Sequence, residues 1–335
     1  MTFSDDNQQD PFANAEIPRP LAPAESAAPT IAEVPPGDPF IYGADHPQPY
    51  AFDLPAKSDL DVPWSWGHLL LFTLFGIVSL VMVQSAFVTY YILTKRLSMH
   101  PTQKEFQQLA YTNPFFSVGS MVVWYAVLFL FLFLTLSFYY HAPFWESLGW
   151  RKIDRRNGKA PRAGWIYFLI GCAMSVVVMA ITLKAKAPEN APIQELLKNR
   201  NMAFAFMGMA VLIAPLVEET LFRGYLYPLL TRIISAILRF CGMASAQAAT
   251  TGIFSSIVLT SVLFGLMHGY QLGWSKAIVG SLIGVGIVLT IVRSRAKTTF
   301  ASFLVHLGYN SVIAFLGTIG LIFAKYAKDL PAPHH

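Results

Sequence analysis

Long apolar runs separated by short polar joints dominate the chain from residue 63 onward. A helix needs about 20 mostly apolar residues to cross a bilayer core. Runs of this kind lie at 68–93, 114–140, 165–183, 253–266 (extended upstream through the small residues from Ala244), 274–292 and 299–323. The stretch 202–240 is long enough for one kinked helix followed by an amphipathic helix lying on the membrane, or for two short spans. The pattern predicts an all-α fold: a polytopic membrane helix bundle of seven or eight transmembrane helices. Trp64, Trp66, Trp150, Trp165 and Trp274 stand at predicted edges, where indole rings anchor a span at the interface.

The first 62 residues break this pattern. They hold 11 of the 19 acids and 11 of the 22 prolines, against only two bases, Arg19 and Lys57. No helical or strand period runs through them. Such a segment cannot bury enough apolar surface to offset its ordering entropy, so 1–62 is predicted to be a disordered acidic tail. Its start, MTFSDDNQQD, lacks the basic and apolar regions of a signal peptide, so the first span is expected to direct the chain to the membrane. Two further regions follow: 63–164, with the N-terminal spans and a basic loop, and 165–325, the core.

Composition agrees with a lipid environment. The chain is 54% hydrophobic and 13% charged, about half the charge of a soluble domain. The bases Arg151, Lys152, Arg155, Arg156, Lys159 and Arg162 crowd one loop, which predicts that this loop, and with it the tail, is cytoplasmic. A topological signal explains that charge better than nucleic-acid binding does. Beyond Met202 two arguments conflict. Seven spans put Arg293, Arg295 and Lys297 inside, whereas eight put Glu218 and His268 near one face. Cys172 and Cys241 imply neither a disulfide framework nor a cysteine metal site.

Ionisable groups within spans are costly and mark function. Three clusters break the apolar pattern. In Ala214–Gly224, Glu218 and Glu219 interrupt an apolar helix and Arg223 follows. Glu219 and Arg223 stand four apart on one face and can pair. Glu218 lies about 100° around the helix, free for another role. Pro215 should kink the chain here. The second cluster sets Phe264 four residues before His268, and the third sets His306 four before Asn310. Structural roles compete with functional ones: His268 as an interfacial residue, Asn310 as an interhelical hydrogen bond.

Together the clusters offer one base, two imidazoles and a carboxamide. Hydrolysis needs a base for water and donors for an oxyanion. No serine or cysteine nucleophile motif and no HExxH zinc signature accompanies them. Glu218, His268 and His306 also have the ligand types of a His/His/Glu metal site. Spacing does not distinguish the two ways of activating water.

These motifs resemble a known family. EETLFR (218–223), FGLMH (264–268) and HLGYN (306–310) are similar, in order, to the patterns EExxxR, FxxxH and HxxxN of the CPBP family, also called Abi, which includes the type II CAAX prenyl endopeptidases. The resemblance covers about 165–325, and FWESLGW (144–150) looks like a short stretch often found before the core. It implies an intramembrane endopeptidase. Glu218 would be the base, assisted by His268; His306 and Asn310 would stabilise the oxyanion; Glu219, Arg223 and Phe264 would shape the site. The family has been described both as glutamate proteases and as metalloproteases. The glutamate reading, with no cofactor, is favoured here, and a divalent metal such as zinc held by Glu218, His268 and His306 is the alternative. The implied partners are the lipid bilayer and a membrane-tethered or lipidated peptide, including prenylated CAAX-type substrates, with no nucleic acid. The implied location is a bacterial or archaeal cytoplasmic membrane. A non-catalytic immunity or partner-binding protein of the same fold is the competing function, and an ion-coupled transporter ranks last.

Overall fold

The computed structural model describes residues 59–153, 164–182, 188 and 191–329, with side chains through residue 323. Residues 1–58 of the predicted tail and most of the basic loop lie outside the described residues. Among the described residues the regular structure is entirely helical.

Helix α1 (Trp66–Leu93) is followed by the short α2 (Gln103–Thr112). Thr102 caps α2, its hydroxyl accepting from Glu105 N while the Glu105 carboxylate accepts from Thr102 N. That backbone hydrogen bond, with a second from the Thr102 hydroxyl, holds the Glu105 carboxyl below its usual range. Helix α3 (Ser120–Leu134) lies between two π-helical turns, Phe115–Gly119 and Thr135–Tyr139, and these form one continuous apolar span. The one-turn α4 (Phe144–Ser147) leads to α5 (Gly164–Thr182).

The second half begins with α6 (Pro192–Lys198), α7 (Arg200–Leu212) and α8 (Ala214–Glu219). A π-helical segment, Thr220–Leu226, links α8 to α9 (Tyr227–Phe240). Then come α10 (Ser245–Met267), α11 (Lys276–Ala296) and α12 (Thr299–Asp329).

Among the described residues seven segments are long and apolar enough to cross a membrane, and the protein is an integral membrane helix bundle. The ambiguous stretch forms a single run of 41 residues, Arg200–Phe240. At 1.5 Å per residue this is about 60 Å, twice a bilayer core. Pro215 interrupts the run near Ile213 because it has no N–H to give and its ring crowds the preceding turn. Beyond the π segment, α9 is strongly amphipathic.

Two close crossings set the core. A Cβ on Gly171 would lie 1.9 Å from Val305 O, and one on Gly308 2.1 Å from Phe168 O, so α5 and α12 touch backbone to backbone. On α11, Gly286 lets that helix approach Ser261 of α10. Small residues at such crossings are how helices pack without a hydrophobic driving force between them.

One aromatic sits elsewhere than the pattern predicts. Trp66, Trp165 and Trp274 are exposed, but Trp64 is fully buried, stacked on Tyr225 with ring centroids 5.2 Å apart. Its partner lies 161 residues away, so local pattern could not reveal it.

Candidate active site

Four elements bring the polar clusters together. Glu218 and Glu219 end α8, Arg223 lies in the π segment, His268 caps α10, and His306 and Asn310 stand on α12. The adjacent glutamates part company. The Glu219 side chain is completely buried, while that of Glu218 is 16% exposed.

Glu219 Oε1 accepts from Arg223 Nη1 at 2.9 Å and from His306 Nδ1 at 2.9 Å. Arg223 spends its other donors on Thr290 Oγ1 (3.3 Å) and Gly286 O (3.2 Å), both on α11. Its guanidinium carbon sits 4.6 Å from the centroid of the Phe264 ring. A guanidinium with five N–H groups and one fixed plane suits this mixture of carboxylate, hydroxyl, carbonyl and ring. Breaking such a buried pair leaves an unpaired charge in low dielectric. Glu219 Oε2 has no hydrogen-bond partner.

The Glu218 carboxylate faces both histidines. Its Oε1 is 3.8 Å from His268 Nε2, and its Oε2 is 3.8 Å from His306 Nε2. These gaps are too long for direct hydrogen bonds and suit a bridging water. The far side of each imidazole fixes its tautomer. His268 Nδ1 lies 2.8 Å from Phe264 O, a carbonyl that can only accept, so Nδ1 carries the hydrogen. His306 Nδ1 likewise donates to the Glu219 carboxylate. In both neutral rings Nε2 therefore presents a lone pair towards Glu218. Phe264 packs edge-on to His306, ring centroids 5.8 Å apart, and lies 4.8 Å from the His268 ring.

Asn310 is engaged differently. Its Nδ2 donates to Ala210 O at 2.7 Å, tying α12 to α7, which leaves one amide hydrogen and the Oδ1 acceptor. Ala210 precedes Pro215 by five residues, in the turn where the regular ladder fails.

The donor types around Glu218 suit a divalent cation: two imidazole nitrogens and a carboxylate, with both imidazoles oriented from behind. Their placement is looser than a metal needs. Among the described residues, no group of three or more His, Cys, Asp or Glu side chains is gathered closely enough to hold an ion.

A cavity of about 800 Å³ is lined by Glu218, His268, His306 and Asn310. Trp124 and Tyr125 of α3 line it too, and most of the remaining wall is apolar. The sequence clusters did not include these two. Tyr125 stands within electrostatic reach of Glu218, and in the sequence it was one hydroxyl among several in an apolar span, with nothing to single it out.

The fold and this centre define a class: an integral membrane helix bundle with a carboxylate between two imidazoles on the wall of a largely apolar cavity. Residues 200–312 match the family model described as Type II CAAX prenyl endopeptidase Rce1-like. That stretch contains all three motifs, and the match bears out the resemblance to the CAAX protease family drawn from them. Neither the comparison with curated proteins nor that with solved structures gave a match.

Proposed function

We propose that this protein is an intramembrane endopeptidase that hydrolyses a peptide bond in a membrane-tethered or lipidated substrate, with a prenylated CAAX-type peptide the first class to test. The family match supports the reaction and the substrate class. One observation carries the residue roles: the Glu218 carboxylate faces two imidazole Nε2 atoms at water-bridging distance, on the wall of a largely apolar cavity.

In this reading a water sits between Glu218 and His268. Glu218 takes one of its protons while His268 Nε2 accepts the other hydrogen and aims the oxygen. The oxygen adds to the substrate carbonyl carbon. Donors for the resulting oxyanion are the free amide hydrogen of Asn310 and His306 Nε2 when that ring carries a second proton. Collapse of the tetrahedral adduct breaks the C–N bond, and Glu218 returns its proton to the departing amine. The finer location belongs to the same proposal: a bacterial or archaeal cytoplasmic membrane, with the N-terminal tail and basic loop on the cytoplasmic side.

The test is cleavage of a quenched fluorescent prenylated peptide library by the full chain in detergent, with and without a strong chelator. Glu218→Gln is expected to lower kcat by about 10²–10⁴-fold, and wild-type cleavage should survive the chelator. Cleavage lost to the chelator would reassign Glu218, His268 and His306 as metal ligands. Wild-type cleavage that persists in Glu218→Gln would remove Glu218 as the base.

A further inference from the structure

The π segment Thr220–Leu226 follows directly on the two glutamates and contains Arg223. A π-helical turn is uncommon, and it persists where outside contacts hold it. Pro228 adds to the difficulty: having no N–H, it leaves a carbonyl one turn back without its helical donor.

Residues that precede and begin α1 supply such contacts. The Trp64 indole N–H donates to Tyr225 O at 3.2 Å, and its ring lies nearly parallel to that of Tyr225, at 16°. His68 Nδ1 shares a hydrogen bond of 2.7 Å with the Tyr225 hydroxyl. Three contacts thus converge on one residue, two positions beyond Arg223. The segment is itself clamped at both ends. Asp59 Oδ2 pairs with the buried Arg293 Nη1 of α11 at 2.8 Å, and Arg232 of α9 donates to the carbonyls of Val62 and Trp64. On another side Gly224 presses against Leu148 O, and the Trp150 indole donates to Thr220 Oγ1 at 3.1 Å.

An interfacial anchor would leave Trp64 in contact with lipid. Full burial, stacking and a hydrogen bond to a helix carbonyl instead make it part of the scaffold of the carboxylate-bearing helix.

We propose that Asp59–Trp64 is a positioning strap. It holds the π register of Thr220–Leu226 and so sets the rotation of Glu218, Glu219 and Arg223 towards the two imidazoles. Trp64 and Asp59 are positioning residues, since neither lines the cavity. The catalytic consequence rests on the peptidase reading; the structural claim does not.

Amide hydrogen exchange on the full chain in detergent separates the two. Trp64→Phe keeps a stacking ring and loses the indole donor, and Asp59→Asn removes only the charge that faces Arg293. Trp64→Phe is expected to raise exchange over 216–228 about tenfold, and Asp59→Asn to raise it less, with 250–262 of α10 unchanged in both. A rise confined to 59–68, an equal rise in α10, or no change over 216–228 would each overturn the strap. In the same samples the strap variants should lower kcat for peptide cleavage without moving KM. If the wild type cleaves nothing, the peptidase reading fails and the exchange data still decide the strap. Because Asp59→Asn is mild, the measurement stands even if Trp64→Phe fails to fold.

Discussion

The first three spans and the last four are built differently. In Trp66–Leu93, Phe115–Tyr139 and Gly164–Thr182 the most apolar windows have 6%, 17% and 11% of their residues buried, whereas Arg200–Phe240, Ser245–Met267 and Lys276–Ala296 have 33% each and Thr299–Phe323 has 22%. The early spans turn most of their surface outward, where lipid is as good a partner as protein. The later ones bury Glu219, Arg223, Thr290 and His306, groups that lipid cannot satisfy. What gathers these buried polar groups in the second half is therefore the need of polar atoms for neighbours, and α12 meets it by touching α5, α7, α8 and α11.

Four substitutions test that contrast. Arg223→Met strips Glu219 of its buried cation and should cost about 3–5 kcal/mol, seen as a large fall in melting temperature in detergent. Adding Glu219→Leu should recover much of the loss; no recovery would mean that Arg223 acts through Thr290 and Gly286 instead. Gly171→Ala should cost about 1–3 kcal/mol, because its Cβ would collide with the α12 backbone at Val305. A melting temperature unchanged by that substitution would mean that the crossing gives way easily. Leu71→Ala, on the outward face of α1, should change stability by no more than about 0.5 kcal/mol. A larger effect would show that this face has a protein partner.

The spans were legible because their signal is local. Twenty apolar residues in succession define a crossing wherever the rest of the chain goes; α1, α5 and α10 begin and end close to the predicted positions, and α12 begins at the predicted residue and runs six further. The Glu219–Arg223 contact was legible for the same reason, since a spacing of four fixes a shared face. The tautomers of the histidines were not. They depend on a carbonyl freed at the end of α10 and on a carboxylate 87 positions away from His306. Nor did the sequence reveal how Asn310 divides its hydrogens, because Ala210 is a backbone partner without any side-chain signature. Trp64 shows the opposite failure: an indole at a span edge carries the interfacial signal whether it meets lipid or a tyrosine. Sequence placed the tail at 1–62, yet its last residues, Asp59–Val62, are held by Arg293 and Arg232.

The π segment has one more consequence, which concerns chain length. A π turn accommodates a residue more than an α turn does, so Thr220–Leu226 is a stretch where the residue count, and not only residue type, determines which way side chains point. Relaxing to α geometry with all seven residues kept would swing everything on one side of the joint by about 100° relative to the other, whereas losing one residue as the ladder relaxes would leave the two sides close to their present orientation. In the first case Glu218 and Glu219 would face neighbours other than the imidazoles, or α9 would leave its seat on α10. Substitutions cannot remove that surplus residue, whereas a single-codon deletion can, so natural variants of this protein should tolerate a one-residue deletion in this stretch better than one within α9, where no π turn absorbs it.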